Sequence, residues 1–264
     1  MLLQRYLLER CVVAMCLLFI CSSIPLSARA LTLRSANHAT TTVELYTSEG
    51  CSSCPNADAW LSSLKRAPNL FSQFIPIAFH VDYWDQLGWQ DRFALPGNTR
   101  RQRDMSRIGM VSQVYTPGFV VNSREWRGWF SGGSQVTANQ LPVSDRTVGV
   151  LRARWPEGAQ MLTLSFTPDS LETDNLQLHI AIVGMGLKTD VRHGENKGRL
   201  LHHDFVVLSH GIYPFGDIIK GTIHKRVTAP DIPDRGQDAS VLVVWVSGME
   251  QPDILQAVAG YLDW

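Results

Sequence analysis

The stretch Val43 to Leu64, VELYTSEGCSSCPNADAWLSSL, sets two cysteines two residues apart between a strand-like run and a helix-like run. TVELYTS reads as a strand, and NADAWLSSLKRA carries Ala57, Trp60, Leu61 and Leu64 at helical spacing. A cysteine at the mouth of such a turn lies near unpaired backbone N–H groups and the positive end of the helix dipole. Both favour thiolate over thiol. The spacing exposes the first sulfur to partners and sets the second one turn in, so Cys51 reads as the nucleophile and Cys54 as the resolving thiol. Gly50 allows close approach to Cys51, and Pro55 suits the first helical turn, where its missing N–H costs little.

The pair stands alone in the mature chain. Arg5 and Arg10 flank the start of an apolar run, CVVAMCLLFICSSIPL, and SARA follows at Ser27 to Ala30. This is the pattern of a cleaved secretory signal peptide over residues 1–30, and its apolar part is shorter than the ~20 residues a membrane span needs. Cleavage removes Cys11, Cys16 and Cys21 and delivers Cys51 and Cys54 to the periplasm or the exterior, where disulfides persist. A bond between them closes a tiny loop with little chain-entropy benefit, and a domain of this size has core enough not to need a staple. Basic and acidic residues number 24 each, and loss of Arg5, Arg10, Arg29 and Glu9 leaves a net charge of −2. With no basic run there is no electrostatic footprint for nucleic acid, and no other apolar stretch is long enough to anchor the mature chain in a bilayer.

From residue 41 to about 140 the pattern alternates. After the first strand and helix, FIPIAFHV reads as a buried strand. NTRRQRDMSRIGM reads as a helix capped by Asn98 or Thr99. GFVVNSREWRGW reads as a hairpin turning at Asn122-Ser123, and SQVTANQL as a last helix. Such an order implies a mixed sheet with flanking helices. Residues 145–264 instead show short alternating strands between Gly, Pro and Asp punctuation, the pattern of an all-β antiparallel sandwich-like domain. ILQAVAGYLDW reads as a final strand or a helix, and the preceding SGMEQPD turn favours a strand paired with VLVVWV.

Metal chemistry offers competing uses for the same cysteines. A structural zinc clip needs two further ligands, and His80, His179, His193, His202, His203 and His210 are isolated or wrongly spaced for one. His202 and His203 are adjacent and on a strand point to opposite faces. Two thiolates with His80, or with a methionine such as Met110, would suit Cu(I), which keeps a copper-binding or delivery protein in view. A partner-binding module with a merely structural disulfide is the other alternative.

Several motifs together carry a resemblance: VELYTSEGCSSCPNAD, FHVDYWDQLGW, RQRDMS, VYTPGFVVN and GENKGRLLHHDFVV. Residues 41–140 resemble a thioredoxin-like domain, with Cys51 and Cys54 matching its redox motif and Thr116-Pro117 its cis-proline loop. Nearly the whole mature chain resembles an uncharacterised family of exported bacterial proteins, the domain of unknown function 1223. The resemblance implies an α/β thioredoxin-like domain followed by a β-rich part. It also implies that Thr116 and Pro117 sit beside the dithiol and pair with a substrate chain.

The reading that follows is an exported thiol–disulfide oxidoreductase that needs no cofactor and acts on protein thiols and disulfides. Ser52 and Ser53 replace the Gly-Pro of ordinary thioredoxins, and their hydroxyls can hydrogen-bond a thiolate. Glu44 is the candidate for the buried acid of such proteins, one residue out of register, so that a surface or core-edge glutamate is an equal reading. Asp82, after the strand of His80, is either a second acid near the dithiol or a loop acid. Tyr83, Trp84 and Trp89, with Asp82 and Asp85, form either an aromatic rim that receives a ligand or a packed cover, and Trp89 reads as packing. Glu195, Arg199 and His203 read as a surface or interface network rather than a cleft lining.

Overall fold

A computed structural model describes residues 29–169 and 175–264. The signal peptide expected over residues 1–30 lies, except for its last two residues, outside the described residues. Strand β2 (Thr41–Thr47) and β3 (Phe74–His80) are parallel, with Tyr46 opposite Phe79. Helix α1 (Pro55–Ser63) connects them, with Pro55 in its first turn. Helix α2 (Pro96–Arg107) follows β3. The hairpin β4 (Gly118–Val121) and β5 (Arg124–Glu125) turns at Asn122 and Ser123, whose φ values of 50° and 62° match a two-residue primed turn.

The second half does not form a separate sandwich behind a helix-flanked sheet. Its strands β8 (Leu176–Met185), β11 (Val206–Pro214), β14 (Ala239–Gly248) and β15 (Ile254–Tyr261) join β2 to β5 in one eight-stranded sheet. Its order is β15-β14-β8-β11-β3-β2-β4-β5. The seam is the short parallel pairing of β11 with β3, Val206 opposite Ala78. A second, five-stranded sheet runs β1-β6-β7-β13-β12, built from Ala30–Arg34, Gly149–Pro156, Met161–Pro168, Thr222–Thr228 and Ile218–Ile219.

This corrects the expected thioredoxin-like α/β class. Strands dominate, and the described residues hold three α-helices, the third being the one-turn α3 (Gly128–Gly132). SQVTANQL, read as a helix, makes only 3₁₀ turns at Gly133–Gln135 and Ala138–Gln140. Helix α2 is capped by Leu95 rather than by Asn98 or Thr99. Both of those lie inside its first turn and reach back, Asn98 donating to the His80 carbonyl and Thr99 to Asp82.

The physical reason for the merged sheet lies in β8 and β14, which are apolar on both faces. Ala181, Val183, Val241, Val243 and Trp245 point into the core shared with β2, β3, α1 and α2. Leu178, Ile180, Ile182, Leu242, Val244 and Val246 point into a second core against β6, β7 and β13. A side chain of this size gains ~1.5–3 kcal/mol on full burial, so neither face can be left to solvent. The alternation of period two thus serves two cores at once.

One polar group sits inside this arrangement. His179 on β8 lies flat against Trp245, 4.8 Å between centroids, and bonds His210 and Ser247. Burial first, then the neighbouring His210, hold His179 well below its ordinary 6.5; burial and Arg101 bring His210 down to about 3. Both pKa values are depressed, so in this window the unfolded chain takes up protons that the folded chain refuses, and stability drains as pH falls below 6.5. The urea midpoint should therefore drop between pH 6.5 and 5. A flat midpoint across that window would contradict the neutral histidine pair.

Candidate functional site

The turn between β2 and α1 carries the cysteines, which form a disulfide. The Cys51 amide donates to the Ser48 carbonyl, and the Cys54 carbonyl accepts from Ala57 and Asp58 as the helix begins. Cys54 occupies the cap position, and Ser53 Oγ lies 3.4 Å from Cys51 Sγ. Gly50 gives this turn room beside Trp84, because a Cβ there would stand 3.0 Å from Trp84 Cβ, a tight contact. Trp84 in turn donates its indole N–H to Thr116 Oγ1 at 2.8 Å, and the Thr116-Pro117 peptide is cis. Trp84 therefore ties the cysteine turn to the Thr116-Pro117 loop.

The expected exposure of Cys51 is not found: both cysteines are 0 % exposed. Against the cysteine turn lies the loop between β9 (Leu187–Asp190) and β10 (Leu200–His203), a paired ribbon of the second half. The buried Asn196 side-chain amide donates to the carbonyls of Glu49 and Cys51, each at 2.9 Å. Arg199 donates to Asn196 Oδ1 and so orients that amide. Glu195 accepts from the Ser52 amide, and hydrogen bonding from Ser52, side chain first and backbone second, holds its exposed carboxyl below the usual range. Glu195, Arg199 and His203 are parts of this lid. The bond from the Asn196 side chain of GENKGR to the Cys51 carbonyl of CSSC spans 145 residues and carries no periodic signal, so sequence reasoning could not pair them.

The supporting candidates scatter. Glu44 is fully buried and belongs to another network: Arg101 grips both its carboxylate oxygens, at 3.0 and 3.1 Å, and Tyr46 donates to it at 3.1 Å. The surface reading of Glu44 is thereby corrected. Burial first, then the Glu44 charge, push the Tyr46 phenol well above its usual value. Asp82 accepts from Thr99 at 2.6 Å and Tyr83 donates to Gln102, so both serve the α2 junction. Trp89 is half-buried against Gly194 of the lid and donates to Glu49 at 2.9 Å.

His80 leads elsewhere than the cysteines. Its Nδ1 lies 2.7 Å from Asp91, which also accepts from the amides of Glu49 and Phe93. Burial works to lower the His80 pKa, but the charge and hydrogen bond of Asp91, with Asp58 and Glu49 behind, carry it up to about 9. The ring meets His203 edge-on, 4.9 Å between centroids. His203, on the buried face of β10, stands 3.8 Å from Asp58 and 3.6 Å from Glu49. Asp58 accepts from Thr47 at 3.1 Å, and burial first raises its pKa against the pull of both histidines. Glu49 Oε1, His80 Nε2 and both His203 nitrogens lack hydrogen-bond partners. Each such buried orphan costs about 1–3 kcal/mol. The His80 of the copper alternative is thus grouped with Asp58 and His203, while both sulfurs are spent in the disulfide.

The profile of a family described as Protein of unknown function (DUF1223) matches residues 42–247. No curated protein matches. Two solved structures share the fold. One is a structural-genomics crystal structure of an Agrobacterium tumefaciens protein, 19% identical, with a TM-score of 0.54, covering 86% of this chain and 96% of that one. The other is HBP35 of Porphyromonas gingivalis, 14% identical, with a TM-score of 0.58, covering 87% of this chain and 77% of that one.

Breaking the buried Glu44–Arg101 pair from one side leaves an uncompensated charge, which costs about 3–5 kcal/mol. Arg101→Met should lower folding stability by that amount in chemical denaturation. A loss under about 1 kcal/mol would show that the pair is not the closed unit described here.

Proposed function

We propose, from the premise that the chain belongs to the family described as Protein of unknown function (DUF1223), that it is a thiol–disulfide oxidoreductase of an exported compartment. The observation that carries this reading is how the disulfide is covered. The lid holds it through hydrogen bonds at Asn196 and Glu195, which can open one at a time. In the reduced chain the Cys51 thiolate attacks a substrate disulfide, and one substrate sulfur leaves as a thiolate. Cys54, as thiolate, then attacks Cys51 Sγ, releases the second substrate thiolate and regenerates the Cys51–Cys54 disulfide. The chain loses two electrons and the substrate gains them; the reverse sequence oxidises a substrate dithiol. Ser53 Oγ, 3.4 Å from Cys51 Sγ, is placed to hydrogen-bond the thiolate, and Thr116-Pro117 is the edge a substrate chain would meet.

The full burial of both sulfurs favours a second reading, in which the disulfide is structural. Two variants separate them. Cys54→Ser should accumulate mixed disulfides through Cys51 with exported proteins, identifiable by mass spectrometry. Asn196→Ala removes two hydrogen bonds of ~0.5–1.5 kcal/mol each and should speed reduction by dithiothreitol about tenfold, since 1.4 kcal/mol is a factor of ten. An absence of adducts, with reduction unchanged in Asn196→Ala, would leave the structural reading standing.

A further inference from the structure

Behind the disulfide turn, three elements bring metal-ligand chemistry to one buried point. Asp58 comes from the first turns of α1, His80 from the end of β3 and His203 from the end of β10. One ligand atom from each lies within 4.8 Å of the others. His80 is 0 % and His203 2 % exposed, yet His80 Nε2 and both nitrogens of His203 have no hydrogen-bond partner. Buried polar atoms of native proteins are nearly always paired. Here several unpaired ones converge, too far apart to bond one another and near the spacing of donors around one ion.

We propose that Asp58, His80 and His203 form a binding site for a zinc-class divalent cation, separate from the cysteine sulfurs. The donor set is one carboxylate oxygen, His80 Nε2 and His203 Nδ1, the nitrogen 3.8 Å from Asp58 Oδ2. Two imidazoles and a carboxylate suit zinc, for which bonds of ~2.0–2.2 Å put neighbouring tetrahedral donors about 3.4 Å apart. Donors that lie within 4.8 Å of one another need to close by up to about 1.4 Å to reach that spacing.

The surroundings match a built site. Each histidine has a carboxylate behind its far nitrogen: Asp91 is 2.7 Å from His80 Nδ1, and Glu49 is 3.6 Å from His203 Nε2. The Asp91 bond fixes the His80 tautomer and aims Nε2 at the metal, while the Glu49 carboxylate faces His203 Nε2 from beyond hydrogen-bond distance. Asp91 is itself held by the amides of Glu49 and Phe93, and Thr47 holds Asp58. An entry path exists, because a cavity of about 400 Å³ between α1 and β10 has Asp58 and His203 in its wall. Three protein ligands leave a fourth position for water or a small ligand, the pattern of zinc sites that are not purely structural. The site also shares backbone with the cysteine turn, since the Asp58 amide donates to the Cys54 carbonyl and Glu49 precedes Cys51 by two residues.

The test uses the untagged mature chain with its disulfide intact. Titration with Zn²⁺ should give one equivalent bound per chain. Co²⁺ loaded in its place should show the visible bands of a nitrogen–oxygen site without thiolate charge-transfer bands. Asp91→Asn, which touches no ligand atom, should weaken Zn²⁺ binding about 10–100-fold, and His203→Gln should abolish stoichiometric binding. If His203→Gln fails to fold, Asp91→Asn decides. The double variant Cys51→Ser, Cys54→Ser should bind Zn²⁺ as the parent does, whatever becomes of the redox reading. The proposal is overturned by the absence of stoichiometric binding, by binding indifferent to Asp91→Asn, or by Co²⁺ bands that vanish with the cysteines.

Discussion

The structure depends on two strands that cannot leave either face in water. The large apolar residues of β8 and β14 alternate between two cores. One face must take a second sheet, β1-β6-β7-β13-β12, and the other must take the helices and loops around the cysteine turn. With β11 paired to both β8 and β3, the two halves of the chain share one sheet. That continuity directs the ribbon β9–β10, which leaves β8 at Gly186, onto the turn that holds Cys51 and Cys54. Gly186 has φ 70°, and a Cβ there would stand against the Asp238 carboxylate. Only glycine makes that exit.

The ribbon performs two tasks with one short segment. Its loop closes over the disulfide through Asn196 and Glu195, and the end of β10 delivers His203 to the buried charges below. Glu49 links the two levels, because its carbonyl accepts from Asn196 while its carboxylate faces Trp89 and His203. Disturbance of the lid therefore reaches the buried cluster through residues in direct contact, without any distant relay.

Much of the local structure was legible in the sequence. Period-two alternation located β6, β7, β8, β11, β13 and β14, and the SGMEQPD turn favoured a strand for β15, which is antiparallel to β14. Asn122-Ser123 announced its hairpin, Pro55 its helix start, and the exposed His202 beside the buried His203 followed from strand geometry. What was not legible is long-range pairing. Nothing in HDFVV says that Val206 lies beside Ala78, and a two-sided apolar strand reads the same in a sandwich as in the middle of a wide sheet. The thioredoxin-like α/β expectation failed at that step. The burial of Cys51 was missed for a related reason: its cover is a side-chain amide from a polar loop 145 residues away. The convergence of Asp58, His80 and His203 was missed because counting ligands by spacing sees only sites held on one or two neighbouring elements.

The oxidoreductase reading requires that the disulfide be reached by opening the β9–β10 loop and not by unfolding the sheet. The most direct measurement is the rate of Cys51–Cys54 reduction by a small thiol as urea is raised through concentrations below the unfolding transition. Opening a loop exposes little surface, and denaturant sensitivity scales with the surface exposed. Loop opening gives a rate nearly independent of urea until the transition begins. A rate that climbs with the full denaturant dependence of global unfolding, from the lowest urea concentrations upward, would contradict it.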